Sequence, residues 1–157
     1  MKLQDKLDAM RDDFENGRFA LVPTRNQIDT MSEATRSLID SEQADYALRA
    51  GDRAPDFALQ DADGASVSSR ELLARGPLVA TFYCGVWCPF CNLDLQALEE
   101  VRSEIEVRGA SLVAISPQTP TNSRKSQRDN KLGFLILSDP RAAVRPNSAC
   151  ASRCRWI

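Results

Sequence analysis

The chain contains no histidine among its 157 residues. This absence excludes Ser-His-Asp and Cys-His catalysis, and it excludes zinc or haem held by histidine. Proton transfer near neutral pH must therefore use a cysteine, a perturbed carboxylate or lysine, or water.

An excess of one charge and a long apolar run are also absent. The 20 Lys and Arg against 22 Asp and Glu give a net charge of -2, so no basic field is available for nucleic acid or an anionic membrane. The most apolar stretch, residues 77–90, is too short to span a bilayer and contains Gly85 and Pro89. The first ten residues lack a continuous apolar segment, so the sequence predicts no signal peptide and a cytoplasmic location.

Cysteine is the unusual chemical resource of the chain. There are 5 cysteines, an odd number, in a composition that is 43% hydrophobic and 27% charged, as in globular proteins. In a reducing compartment these cysteines favour redox or metal chemistry over a static disulfide framework.

Residues 1–50 are predicted to form a helical extension. Two amphipathic stripes recur at three- to four-residue spacing, and we expect both to pack on the following domain. The first stripe, ended by Asn16-Gly17, consists of Leu3, Leu7, Met10 and Phe14, and the second consists of Ile28, Met31, Leu38 and Tyr46.

Residues 51–140 are predicted to form an α/β domain, because strand and helix patterns alternate there. The predicted strands are 57–59, 77–83, 111–116 and 134–137, and the predicted helices are 68–73, a long helix ended by Gly109, and 121–131. The strand before the long helix, that helix and the strand after it form one βαβ unit. The helix side that faces the sheet is predicted to carry Leu95, Leu98, Val101 and Ile105.

The informative segment is residues 83–92, YCGVWCPFCN, which joins the apolar strand to the long helix. Reactive groups gather at this end of open α/β sheets. A thiol in the first helical turn lies near unpaired N–H groups and the positive end of the helix dipole, and both favour the thiolate. The spacing of Cys88 and Cys91 places their sulfurs one turn apart, close enough to exchange a disulfide. Pro89 is tolerated in the first turn, and we expect Trp87 to shield the thiol.

These residues resemble a known family. The run WCPFC at 87–91 is similar to the thioredoxin-type W-C-P-x-C site, and GDRAPDF at 51–57 resembles the N-terminal motif of peroxiredoxins. Together with SLVAIS at 111–116, the order of motifs resembles a peroxiredoxin-like branch of the alkyl hydroperoxide reductase and thiol-specific antioxidant family. The resemblance implies a thioredoxin-like fold.

The resemblance also implies a thiol-dependent peroxidase. Cys91 stands where peroxiredoxins have the peroxide-attacking cysteine, whereas by analogy with thioredoxin Cys88, as the more exposed, attacks and Cys91 resolves. Either way, hydrogen peroxide or an organic hydroperoxide oxidises one thiol to sulfenic acid, a Cys88–Cys91 disulfide forms, and thioredoxin or a similar dithiol reduces it. No metal or organic cofactor is required. A homodimer remains open as the oligomeric state.

Two alternatives use the same cysteines. A thioredoxin-like protein disulfide reductase would pass electrons through the same CxxC pair. Iron–sulfur or zinc binding by Cys84, Cys88 and Cys91 is less favoured, because the flanking Trp87 and Pro89 match a redoxin and the chain is too short for the barrel of radical iron–sulfur enzymes. We expect Cys84 to be a small buried side chain.

Residues 141–157 are predicted to form an irregular tail. They contain Cys150 and Cys154, to which the sequence assigns no role, and lack a helix or strand period. The family continues with a cis-proline turn, a β-hairpin and a final helix, so the sheet is expected to be incomplete at its C-terminal part. The abrupt change after Ala143 favours a truncated gene or a shifted reading frame.

Overall fold

The computed structural model of the chain describes residues 2–18, 24–42, 44–45, 47–141 and 144. Within these residues the helices are α1 (Leu3–Glu15), α2 (Arg25–Asp40), α3 (Ser69–Leu73), α4 (Pro89–Val107) and α5 (Pro120–Asp129). The strands are β1 (Ala58–Gln60), β2 (Ser66–Ser68), β3 (Leu78–Phe82), β4 (Ser111–Ser116) and β5 (Leu135–Ser138).

The strands form one sheet in the order β2-β1-β5-β4-β3. Strands β3, β4 and β5 are parallel, and β1 pairs antiparallel with β2 and β5. Helix α4 connects β3 to β4 and α5 connects β4 to β5, so the predicted α/β alternation and the βαβ unit are confirmed. The sequence did not predict β2, which has three residues and pairs with β1 as a hairpin.

The two faces of the sheet carry separate apolar clusters, because side chains alternate along each strand. In β4, Leu112 and Ala114 belong to the cluster beneath α4, and Val113 and Ile115 belong to the cluster on the opposite face. All four are buried. The central strand is therefore covered on both faces, as a parallel strand requires.

Helix α4 packs on the sheet through a fully buried Leu95, with Leu98 and Ile105 partly buried beside it. Val101, which the sequence pattern also assigned to this side, is 41% exposed. The assignment was wrong because a three-residue step from Leu98 rotates the side chain away from the sheet face of a 3.6-residue helix. Helix α1 contacts α4 as predicted, and Lys6 Nζ lies 3.8 Å from Glu100 Oε1.

The predicted packing of the second amphipathic stripe is wrong for the residues of the stripe that the structure describes. Met31 and Leu38 on α2 are each 54% exposed, and Ile28 is only half-buried, whereas Tyr46 lies outside the described residues. The side of α2 that carries them is covered by no extensive contact with the described part of the sheet. An apolar stripe shows that a helix can bury one side, but it does not identify the surface that covers it.

The carboxyl-terminal prediction falls mainly on residues that the structure leaves undescribed. Cys150, Cys154 and the rest of residues 145–157 lie outside the described residues. Strand β3 forms one edge of the five-stranded sheet. No helix among the described residues is both long enough and apolar enough to cross a bilayer.

Candidate active site

Cys88 is the N-cap of α4, at the position that follows the carboxyl end of β3. Its backbone is extended (φ -90, ψ 109), and Pro89 occupies the first turn of the helix. The Cys91 backbone N–H donates to Cys88 Sγ at 3.4 Å. Pro89 fits because its missing N–H would have had no partner inside the helix. The helix start therefore directs its free donors at one sulfur.

Three thiols meet at this point. The Sγ atoms of Cys84, Cys88 and Cys91 all lie within 4.8 Å of one another, close enough for disulfide exchange and also for sharing one ion. Cys84 is exposed, which corrects the prediction that it is buried: it lies in the loop after β3, two residues beyond the end of the strand at Phe82. Cys88 is only 9% exposed and Cys91 is half-buried, so the expectation that Cys88 is the more exposed of the pair was wrong. The cap position turns the Cys88 sulfur back over the first turn of α4.

The hydrogen bonds between the thiols separate their pKa values. The pKa of Cys88 falls from 9.0 to about 6, chiefly because the Cys91 thiol donates to it. The Cys91 backbone N–H, the Cys84 thiol and the Phe90 backbone N–H lower it further, against the opposing effect of burial. The pKa of Cys91 is raised, first because its proton is held in that hydrogen bond and then because of burial. Burial and the negative charge on Cys88 raise the pKa of Cys84. The group therefore contains one thiolate and two thiols near neutral pH.

Trp87 is 72% exposed, so most of its indole faces solvent, and the expectation that it shields the thiol stays a prediction. Its indole lies over the backbone of Gly85, where a Cβ would come within 2.8 Å of Trp87 Nε1. Gly85 also has φ +153, a conformation that other residues rarely adopt. The loop thus needs glycine at position 85, and the indole is presented to solvent beside Cys88.

Side chains from distant elements hold the loop in place. Gln118 Oε1 accepts from the Val86 N–H at 3.0 Å, and Asn92 Nδ2 donates to the Val86 carbonyl at 3.1 Å. Asn130 Nδ2 in turn donates to Asn92 Oδ1 at 3.0 Å. The backbone N–H and the backbone carbonyl of Val86 therefore both have hydrogen-bond partners. These bonds fix the conformation of the loop that leads to Cys88.

A buried polar network supports Gln118. Its Nε2 donates to the Tyr83 hydroxyl at 2.5 Å and to Ser126 Oγ at 3.0 Å, and the Tyr83 hydroxyl donates to Ser126 Oγ at 3.1 Å. Burial raises the pKa of Tyr83, so it stays protonated. The network joins the end of β3 to α5 beneath the cysteine loop.

The sequence pattern predicts the cysteine segment but not the side chains that hold it in place. The residues that hold the loop are polar residues without a motif: Asn92, Gln118, Ser126 and Asn130. The last three lie at least 26 residues further along the chain than Asn92. One signal could have identified Gln118, which follows the carboxyl end of a strand parallel and adjacent to β3, where site residues gather. No comparable pattern marks the serine.

Comparison with known proteins gives relatives in two thiol-redox groups. Peroxiredoxin Bcp of Escherichia coli (strain K12) is 32% identical over 92 residues, which are 59% of this chain and 58% of that protein. Thiol-disulfide oxidoreductase ResA of Halalkalibacterium halodurans is 33% identical over 78 residues, which are 49% of this chain and 43% of that protein. The chain spans about three-fifths or less of the length of these curated relatives.

The fold is shared with a solved peroxidoxin. The crystal structure of peroxidoxin BcpB from Mycobacterium tuberculosis superposes with a TM-score of 0.60 at 25% identity, over 66% of this chain and 71% of that one. The expected thioredoxin-like fold is thereby confirmed. The AhpC/TSA family model matches residues 50–147, more than half of the chain, including the whole cysteine loop. The chain belongs to the AhpC/TSA family.

Proposed function

We propose that the chain is a thiol-dependent peroxidase in which Cys88 attacks the peroxide and Cys91 resolves. The observation that carries the proposal is the pairing of a Cys88 thiol whose pKa is about 6 with a protonated Cys91 thiol within 4.8 Å. The thiolate is the nucleophilic form of cysteine, so Cys88 reacts at neutral pH while Cys91 waits as the thiol. Membership of the AhpC/TSA family and the peroxiredoxin relatives support the same reaction.

The reaction consists of two balanced steps. The Cys88 thiolate attacks one oxygen of ROOH, the O–O bond breaks, and the RO⁻ leaving group takes a proton to become ROH, which leaves Cys88 as sulfenic acid. The Cys91 sulfur then attacks the Cys88 sulfur, an S–S bond forms, and the hydroxyl leaves as water with the Cys91 proton. The substrate must be small or extended at its peroxide end, because Cys88 is 9% exposed.

Reduction of the disulfide needs an external dithiol, and we assign this role to thioredoxin or a similar protein. A dithiol of this kind attacks one sulfur of the Cys88–Cys91 disulfide, passes through a mixed disulfide and leaves oxidised. The compartment we propose is the reducing cytoplasm, where such dithiols are kept reduced. A homodimer is compatible with the cycle, because one chain supplies both sulfurs.

The test is peroxide consumption in single-turnover and steady-state form. The variants are made in a Cys84→Ser background, because the Cys84 sulfur also lies within 4.8 Å of the other two and could replace Cys91 as the resolving thiol. In this background we expect Cys91→Ser to consume one equivalent of hydrogen peroxide but not to turn over with thioredoxin, and Cys88→Ser to do neither. The matched control is Cys150→Ser/Cys154→Ser, which should behave as the wild type. If Cys88→Ser consumes its first equivalent at the wild-type rate while Cys91→Ser does not, the roles of the two cysteines are reversed. If both variants turn over as the wild type does, the proposal fails.

A protein disulfide reductase is the second candidate. The similarity to ResA supports it, as does Trp87, which is 72% exposed beside Cys88 and suited to contact with a protein. Insulin reduction by the reduced chain, compared with peroxide consumption at the same concentration, separates the two functions. We expect peroxide to be the faster oxidant, because a sulfur that is 9% exposed admits a small molecule more readily than a protein disulfide.

A further inference from the structure

The proposed peroxidase cycle forms and breaks bonds at two of the three sulfurs, and Cys84 contributes to it only through a hydrogen bond that helps to lower the pKa of Cys88. All three Sγ atoms nevertheless lie within 4.8 Å of one another. The three residues come from one loop and one helix turn, so the backbone that carries them is continuous. Cys84 is the exposed member, and it therefore marks the side of the group that is open to solvent.

We propose that the reduced chain binds one Zn²⁺ ion through the thiolates of Cys84, Cys88 and Cys91, with water in the fourth position on the Cys84 side. A tetrahedral Zn²⁺ with Zn–S bonds of about 2.3 Å places its sulfurs about 3.8 Å apart. The separations within the group are at most 4.8 Å, so the longest needs to contract by only about 1 Å. Rotation of the exposed Cys84 side chain can shorten its own distances to the other two sulfurs without moving α4.

The ligand set favours a single soft ion. Three thiolates select zinc, copper(I) or an iron–sulfur cluster over magnesium or calcium, which prefer oxygen. An iron–sulfur cluster holds its thiolates on separate iron atoms, further apart than the ligands of one ion, and its usual complement is four cysteines. A compact group of three sulfurs with one open side matches the three-ligand, one-water coordination of zinc.

Zinc binding and disulfide formation exclude each other at this site. When Cys88 and Cys91 lose two electrons to form their disulfide, both cease to be thiolates, and Cys84 alone remains as a ligand. The ion then dissociates. Release by hydrogen peroxide rests on the proposed peroxidase function, since the peroxide takes up two electrons and two protons to give two molecules of water. Release by diamide, an azo compound that takes up two electrons and two protons from thiols, does not rest on it.

The experiment titrates Zn²⁺ into the reduced full chain against a chromophoric chelator, without oxygen. The parent carries Cys150→Ser/Cys154→Ser, so that every remaining cysteine belongs to the group. We expect one equivalent of Zn²⁺ to bind per chain. Cys84→Ser should weaken the affinity for Zn²⁺ by more than about 100-fold, which is more than the loss of a residue that only hydrogen-bonds to a ligand would cause. Co²⁺ in place of Zn²⁺ should show the charge-transfer band of sulfur ligation and the strong visible bands of tetrahedral geometry.

Unfolding curves keep the result interpretable, since Cys84→Ser should unfold at the same urea concentration as its metal-free parent. Diamide should release the bound zinc from the parent. Binding of less than one equivalent in the folded parent, unchanged affinity in Cys84→Ser, or an octahedral Co²⁺ spectrum would each overturn the proposal. If zinc binds and diamide releases it but hydrogen peroxide does not, the zinc site stands and the peroxidase function fails.

Discussion

Replacing Cys91 by alanine tests the physical origin of the Cys88 thiolate. The thiol of Cys91 is the largest contributor to the low pKa of Cys88, so Cys91→Ala should raise that pKa from about 6 toward 9.0, with the backbone N–H groups and the Cys84 thiol limiting the rise. At pH 7 a thiol with a pKa of about 6 is ~90% thiolate, whereas one at 9.0 is ~1% thiolate. The full change would thus alter the reactive fraction ~90-fold at pH 7.

The rate at one pH is a poor readout of this change, because a more basic thiolate is also more nucleophilic. With a Brønsted slope of about 0.4–0.5, a pKa lower by about 3 makes the thiolate ~15- to 30-fold less nucleophilic. The two effects leave the wild type only ~3- to 6-fold faster at pH 7. We therefore expect two opposite changes in Cys91→Ala, namely a midpoint of reactivity at higher pH and a higher rate on the alkaline plateau.

The assay is the initial rate of alkylation by iodoacetamide between pH 4 and 10, followed by mass spectrometry on the peptide that contains Cys88. The tryptic peptide of residues 76–102 also contains Cys84 and Cys91, so fragmentation of the peptide is used to assign the alkylated sulfur to Cys88. Cys150→Ser/Cys154→Ser is the matched control, with an unchanged midpoint. A wild-type midpoint near 9 would refute the thiolate assignment. A midpoint near 6 that Cys91→Ala leaves in place would show that the helix N–H groups and the Cys84 thiol are sufficient to produce it and that the hydrogen bond from the Cys91 thiol contributes nothing.

Three further predictions concern stability, each measured by urea unfolding. Because the folded-state pKa of Cys88 lies below 9.0, its thiolate stabilises the fold fully above pH 9, and this stabilisation is lost as the pH falls to about 6. The difference in unfolding free energy between the wild type and Cys88→Ser should therefore shrink as the pH falls from 9 to 6. A difference that stays constant with pH would contradict this prediction. Leu95→Ala should cost about 2–5 kcal/mol because Leu95 is 0% exposed, whereas Leu73→Ala, at 54% exposed, should cost far less; equal losses would contradict the packing of α4. Gly85→Ala should cost about 1–3 kcal/mol through its backbone conformation and the contact with Trp87, and unchanged stability would contradict that account.

The fold of the α/β domain could be predicted from the sequence to the extent that hydrophobic periodicity records it. Strand β4 lies at residues 111–116 as predicted, because a run of apolar residues buried on both faces is a strong local signal. Strand β2 was missed because three residues ending at a helix cap carry no such signal. The position of α2 could not be predicted, because its amphipathic pattern is the same whether a neighbour covers it or solvent does.

The candidate site was predictable only where its residues are contiguous. The WCPFC run contains both cysteines to which we assign the redox reaction, and its position between a strand and a helix predicts a thiolate. The support of the loop was not predictable, because Gln118 contacts Val86 across 32 residues of sequence and does so through a side chain that is common on any surface. The exposure of Cys84 was equally hidden, since it depends on where β3 ends and not on the residue type.

The roles that we propose for Cys88 and Cys91 rest on their order at the helix start. The first residues of a helix have free N–H groups that are directed backwards, toward the N-cap, so a sulfur at the cap accepts from the turn that follows it. Cys88 occupies the cap and receives both the backbone N–H and the thiol of Cys91, and Cys91, one turn later, is a donor. Exchanging the roles would require Cys88 to hold its proton against the donors that surround it. The sequence position of Cys91 matches that of the attacking cysteine of peroxiredoxins. We nevertheless assign the attack to Cys88, because a cysteine at the helix cap receives the donors that favour the thiolate.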